Sequence, residues 1–195
     1  MFSIRRPDQN TIQHFLDGRV NDRYSYSEVG ASRSGAPAGY NVDHNRVMLG
    51  RGEGVFEQTK VAIGGWKMFQ IGWVELIHPG RPVEVGMNVG ILARTMGLYS
   101  LSSSRVAYLL DEQQPVRRWG FGYGTLTAHV ERGEERFSVE WLADNTVWYD
   151  LFAFSQPRHP LARLGYPASR FYQQRFATDS MRVMKMALSR TNNLP

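Results

Sequence analysis

Trp119, Gly120, Phe121, Gly122, Tyr123 and Gly124 alternate an aromatic ring with bare backbone. In a strand, successive side chains point to opposite faces, so this run has one wholly aromatic face and one face of backbone alone. Each glycine weakens a strand by about 0.5–1 kcal/mol relative to alanine. A run that carries this cost marks a place where another element or a ligand approaches the backbone closely, or where the sheet must bend. The rings carry too much apolar area to leave in water. The aromatic face is therefore expected to point inward, with the glycines letting the sheet curve around it.

The run sits in a series of strand candidates. Residues 46–49 read as a brief strand, 50–54 as a turn, and 55–68 as a helix that Gly64 and Gly65 weaken or end. Strand patterns follow at 72–77, 83–93, 105–111, 118–131, 136–141 and 146–155, with Arg132 and Gly133 as a hairpin tip. The connections are mostly short, which favours an antiparallel meander over helix-linked parallel strands. From 160 to 189, Leu161, Leu164, Ala168, Phe171, Phe176, Val183, Met184, Ala187 and Leu188 recur at helical spacing, so one long amphipathic helix, kinked near Pro167, is the simplest reading. Before this core, residues 7–17 read as a short docking helix carrying Ile12, Phe15 and Leu16. Residues 24–40 read as a long Ser/Gly/Ala/Pro loop held by Tyr24, Tyr26 and Tyr40. The fold class is α+β: about six or seven antiparallel strands that bury the apolar stripe of a long final helix. We expect one domain over 1–195, with an extension at 1–45 and a core at 46–190.

Composition narrows the chemistry. The absence of cysteine removes disulfides, a thiol nucleophile and cysteine-based zinc sites, and suits a reducing, cytoplasmic compartment. No signal-peptide pattern and no apolar stretch of membrane-span length is present, so no integral membrane association is expected. The net charge of +5 is concentrated: between Arg158 and Arg190 lie Arg158, Arg163, Arg170, Arg175, Arg182, Lys185 and Arg190, opposed by Asp179 alone. An anionic partner would meet this segment.

Local motifs give weaker signals. Residues 50–54 follow a strand and precede a helix, but Val55 stands where a dinucleotide loop has its third glycine, Glu53 would repel phosphate, and no parallel βαβ unit follows; a structural turn is favoured. Gly120–Tyr123 partly matches an RNA-recognition strand. Trp119 and Gly124 break that pattern and the required element order is missing, so nucleic-acid binding is disfavoured. His14, His44, His78, His129 and His159 show no metal-ligand spacing, and no metal or cofactor is expected. His129, Thr125 and Thr127 share a strand face, and Glu131, Glu140 and Asp150 lie nearby, where an acid–base pair or a structural hydrogen bond would both fit.

Tyr26, Glu28, Val29 and Gly30; Gly39 and Tyr40; Gly50 and Gly52; Glu84, Val85 and Gly86; 122–126; Glu131, Gly133, Glu134, Glu135 and Phe137; and Phe154, Ser155, Pro157 and Pro160 together resemble the DUF1990 family, also called UPF0548. The resemblance spans nearly the whole chain and implies no catalytic residues. The element order is also similar to the helix-grip fold of START, Bet v 1 and polyketide-cyclase-like (SRPBCC) proteins. That likeness implies a cavity between sheet and helix, commonly for apolar molecules, and the extension up to Asn45 is expected to cover one of its mouths.

Three functional expectations follow. The first is a binding protein that encloses a small apolar or amphipathic molecule between the sheet and residues 160–189. Its candidate lining is Trp73, Met87, Val89, Tyr108, Phe121, Tyr123, His129, Trp148 and Phe152, with the inward strand face left open. The second is an enzyme acting on such a molecule with His129, Tyr123 and Asp150 as its polar groups. The third is an interaction protein whose basic final helix meets nucleic acid or anionic lipid. Ligand identity and oligomeric state are not legible.

Overall fold

A computed structural model describes residues 1–127, 129, 131–158 and 166–191. Its strands are β1 (Phe2–Ser3), β2 (Asn41–Arg51), β3 (Val74–Ile77), β4 (Asn88–Thr95), β5 (Leu98–Glu112), β6 (Arg117–Thr125), β7 (Glu131–Trp141) and β8 (Thr146–Pro157), and its helices are α1 (Gln9–Asp17), α2 (Glu53–Gly64) and α3 (Tyr166–Thr191). All eight strands join one antiparallel sheet in the order β2-β8-β7-β6-β5-β4-β3, with β1 paired to β5. The meander is consecutive from β3 to β8. Besides β1, β2 departs from this order, crossing to lie beside β8, from Asn41 opposite Ser155 to Arg51 opposite Thr146.

Two elements cover the inner face of this curved sheet. α2 begins after Gly52, whose φ of 85° favours glycine, and buries Phe56, Thr59, Ala62 and Ile63. Gly65 caps its end, where two backbone N–H···O=C bonds reach Val61 and Ile63. α3 buries Ala177, Ser180, Met184 and Leu188, spaced three, four and four residues apart, which is the stripe a helix needs to lie on a sheet. Between the helices and the sheet, Phe121, Phe137, Val139, Val147, Tyr149 and Leu151 form the main core with Phe69, Trp66 and Met184.

The extension lies on the outer face. Ile12 of α1, N-capped by Asp8 through Thr11 N–H (2.8 Å), packs on Leu92 and Leu101. Tyr24, Tyr26 and Tyr40 of the following loop surround Phe152 and Phe154. The anchor of this strap is Glu134, which is buried. Its carboxylate accepts from Tyr26 OH (2.6 Å), Gly30 N–H (2.7 Å), Ser32 N–H (2.9 Å) and Ser32 Oγ (2.5 Å). The strap thus covers the back of the sheet rather than the cavity mouth, and the parts of the extension that reach the cavity are Met1 and Phe2 at its start and Asp43 and Asn45 at its end.

The alternating aromatic and glycine run obeys the expected polarity, with Phe121 and Tyr123 in the inner core. The glycines also admit the close approach that such a run marks, and they do so on the outer face. A Cβ at Gly122 would stand 2.5 Å from the Tyr108 ring, and one at Gly124 would stand 1.9 Å from the Tyr26 hydroxyl.

Two expectations need correction. Arg132 and Gly133 are not a hairpin tip, because they pair with Gln156 and Ser155 inside β7, and β6 ends at Thr125. Phe171 is not part of the buried stripe of α3 but is 59% exposed. The part of the long helix expected over residues 160–165 lies outside the described residues, and Pro167 falls in the first turn of α3, where its missing N–H leaves no helical bond broken.

Candidate functional site

Between the inner face and the first half of α3 lies a half-open cavity of about 470 Å³. Its walls follow from strand alternation. β6 contributes Tyr123, β8 contributes Leu151 and Ala153, and β4 contributes Ile91 and Ala93, all of the same facing parity. α3 closes the chamber with Tyr172, Gln173, Phe176 and Ala177, while Phe69 and Trp73 enter from the segment after α2. The aromatic groups are braced against one another and against α3: Phe69 lies 5.2 Å from Phe176, Trp73 lies 5.5 Å from Tyr172, and Trp73 Nε1–H donates to Asp179 (2.9 Å). Side chains locked in this way hold a chamber open more readily than flexible aliphatic ones.

One end of the chamber is acidic and polar. Asp43, Glu131 and Glu135 all line it. Two of these carboxylates are committed. Arg170 donates to both oxygens of Asp43 (2.5 and 2.6 Å), and Glu131 accepts from Gln173 (2.6 Å) and from Ser169. Glu135 accepts from Tyr123 OH (2.7 Å) and forms no ion pair among the described residues. Burial raises its pKa to about 7, and the nearby Asp43 and Glu131 add to the rise while the Tyr123 bond opposes it. Burial, with the Glu135 charge beside it, pushes the Tyr123 phenol well up. His129 also lines the chamber, and its Nδ1 lies 3.1 Å from both the Glu131 N–H and the Glu131 carbonyl oxygen. Burial, helped by the amino-terminal charge, lowers its pKa to about 4, so the ring is neutral at physiological pH.

The expected lining residues divide into three groups. Trp73, Tyr123 and His129 line the cavity. Met87, Val89 and Phe121 are buried in the adjoining core without reaching the cavity wall. Tyr108, Trp148 and Phe152 stand on the outer face. Tyr108 OH bonds Ser32 (2.7 Å), Arg46 lies over Trp148, and Phe152 packs under the strap. Position in the alternation decides this: Tyr149 and Leu151 face in, so Trp148 and Phe152 face out, and the β-bulge between Val106 and Tyr108 turns Tyr108 outward.

Asp150 faces out for the same reason, which separates it from Tyr123 and His129 and dissolves that expected trio. It is buried beneath Arg136 (2.8 Å), Arg46 (3.0 Å) and His44 (2.6 Å), an ionic anchor on the back of the sheet. Glu135 is the residue the sequence reading missed as a site residue. The available signal was its place two residues before Phe137, on the aromatic side of β7.

The basic character of α3 is largely answered within the fold. Arg170 pairs with Asp43, and Arg175 and Arg182 both pair with Asp179. Among the described residues, no group of side chains is placed to hold a metal ion, and no helix is long and apolar enough to cross a membrane.

Among solved structures, human STARD10 shares the arrangement with a TM-score of 0.50 at 13% identity, covering 94% of this chain and 80% of that one. The di-domain ARO/CYC protein StfQ of the steffimycin biosynthetic pathway shares it with a TM-score of 0.53 at 11% identity, over 80% of this chain and 52% of that one. At these identities the likeness establishes the fold, a helix-grip architecture. In sequence, a UPF0548 protein of Dictyostelium discoideum is 33% identical over 100% of this chain and 99% of its own length. The model of the domain of unknown function DUF1990 matches residues 25–183, which includes the strap, the sheet and most of α3, and the chain therefore belongs to the DUF1990 (UPF0548) family.

Proposed function

We propose that the protein binds a small apolar or amphipathic molecule in the cavity between the sheet and α3. The observation that carries this reading is a chamber of about 470 Å³ walled by Phe69, Trp73, Ile91, Leu151, Tyr172 and Phe176, with the carboxylates Asp43, Glu131 and Glu135 on its β2–β7 side. Small-molecule sites typically occupy roughly 300–1,000 Å³, are mostly apolar, and carry a few converging polar groups. Protein interiors normally close-pack, and an apolar void of this size costs stability unless something occupies it or uses it. The occupant fits with its apolar body against the rings and its polar end toward Glu135.

Titration with the neutral apolar dye N-phenyl-1-naphthylamine tests this. Wild type is expected to bind it saturably with enhanced dye emission. Ala153→Phe, which places a ring inside the chamber beside Glu135, is expected to lose that binding while keeping its fold. Equal binding by the two proteins would count against the cavity as the site.

A further inference from the structure

Resting on the binding reading above, we propose that the cavity is also a proton-transfer site, in which Glu135 moves a proton to and from the carbon beside a carbonyl group of the bound apolar molecule. Among the described residues, the titratable groups around Glu135 are Asp43 from β2, Tyr123 from β6, Glu131 from β7 and Tyr149 from β8, with Arg170 of α3 beyond them on Asp43. Asp43 is held by Arg170, Glu131 by Ser169 and Gln173, and Tyr149 OH by Ser180 Oγ (2.8 Å). Tyr123 OH is spent on Glu135 Oε2 (2.7 Å), which fixes the carboxyl group and leaves Oε1 with no partner among the described residues. Among the described residues, Oε1 is thus the free basic atom of a carboxylate on the chamber wall, with no cation paired to it.

The second group is His129. Its Nδ1 lies 3.1 Å from both the backbone N–H and the carbonyl oxygen of Glu131; in the tautomer in which Nδ1 accepts that N–H, the proton sits on Nε2 and the ring is a neutral donor in the same chamber. A base with proton affinity near neutrality and a neutral N–H donor, both inside an apolar chamber, are suited to enolisation. The step balances without a co-reactant. Glu135 Oε1 takes the proton from the α-carbon, and the C–H electron pair becomes the C=C bond. The carbonyl π pair moves to oxygen, where the His129 Nε2–H donates a hydrogen bond. Return of the proton to carbon restores the carboxylate and either regenerates the ketone or shifts the double bond.

The test follows α-hydrogen exchange of α-tetralone in D₂O by NMR, alongside its affinity measured by quenching of protein fluorescence. Wild type is expected to accelerate exchange at the carbon beside the carbonyl by about 10²-fold or more, the usual share of a positioned base. The rate should rise with pH and level off above about 7, the value to which burial raises Glu135. Glu135→Gln keeps the shape and an acceptor for Tyr123; it should lose the acceleration at saturating α-tetralone, where a change in affinity does not enter the rate. Tyr123→Phe removes a bond that favours the carboxylate, so it should move the midpoint of the pH profile upward, a change a purely structural Glu135 would not produce. Bound α-tetralone with no acceleration, or full acceleration in Glu135→Gln, overturns the proton-transfer proposal and leaves the binding reading standing. No binding of α-tetralone by wild type overturns both.

Discussion

Replacing Glu134 by alanine tests how the strap over residues 24–40 is held to the sheet. The carboxylate takes hydrogen bonds from two backbone N–H groups, of Gly30 and Ser32, and from two hydroxyls, of Tyr26 and Ser32. After truncation the hydroxyls can turn, since Ser32 Oγ already lies 2.7 Å from Tyr108 OH. The N–H groups cannot, and each buried donor left unpaired costs about 1–3 kcal/mol. The expected loss is therefore about 4 kcal/mol by urea denaturation. Glu134→Gln should lose less, because the amide oxygen still serves one pair of donors while its NH₂ opposes the other. Hydrogen exchange locates the loss. Protection of the Gly30 and Ser32 amides should fall by about 10²–10³-fold, as 1.4 kcal/mol corresponds to about a factor of ten in an opening equilibrium. If Glu134→Ala lost less than 1 kcal/mol and both amides kept their protection, the carboxylate would not be the anchor, and the aromatic packing of Tyr26 and Tyr40 on Phe154 would have to hold the strap instead.

Further outcomes can be checked on the same instruments. Gly124→Ala should destabilise by about 3 kcal/mol or release the strap, because its Cβ would overlap the Tyr26 hydroxyl at 1.9 Å; Tyr26→Phe in that background should recover part of the loss in urea melts. Asp150→Ala leaves Arg136 as a buried charge without its carboxylate, so a loss of about 3–5 kcal/mol is expected from the same melts. Glu135 binds its proton more tightly folded than unfolded, so between about pH 4.5 and 7 the native state holds more protons and stability falls as pH rises. The full effect is at most about 3 kcal/mol. Glu135→Gln should remove this decline, gaining on wild type at pH 8 but not at pH 4.5; parallel pH profiles for the two proteins would refute it. His129 works in the opposite direction: its folded pKa is lowered to about 4, so the stability it contributes is lost as pH falls from 6.5 toward that value.

The fold was legible where hydrophobic area and period decide the structure. The strand series, the closing helix and the inward turn of Phe121 and Tyr123 all follow from alternation and from the cost of exposing rings. Reading failed where charge stands inside a strand. Arg132, Gly133, Glu134 and Glu135, just before the strand pattern that opens at Arg136, look like a solvent-facing turn, because a glycine among charges is a turn signal. In the sheet the same residues divide by face: Glu134 and Arg136 point outward into the strap and toward Asp150, and Glu135 points inward to the cavity. Each charge is satisfied by a residue more than ten positions away, and no local pattern carries that information.

The outer candidates failed for a related reason. Tyr108, Trp148 and Phe152 are apolar enough for a core, and the extension supplies a second, smaller core on the back of the sheet around Tyr26, Phe152 and Phe154. A chain with one buried face would make every strand aromatic a candidate for the cavity. Here both faces are covered, so hydrophobicity alone could not say which face held the cavity. The β-bulge beside Tyr108 removed the remaining clue, since it resets the alternation within β5.

The central claim is that the chamber beneath α3 holds a small apolar or amphipathic molecule, and native mass spectrometry of the protein purified without added ligand tests it most directly. The account predicts a one-to-one mass increment that organic solvent releases as such a molecule, and that is absent from Ala153→Phe. An unliganded mass for wild type, together with failure to take up any member of a mixed panel of apolar and amphipathic small molecules, would contradict it.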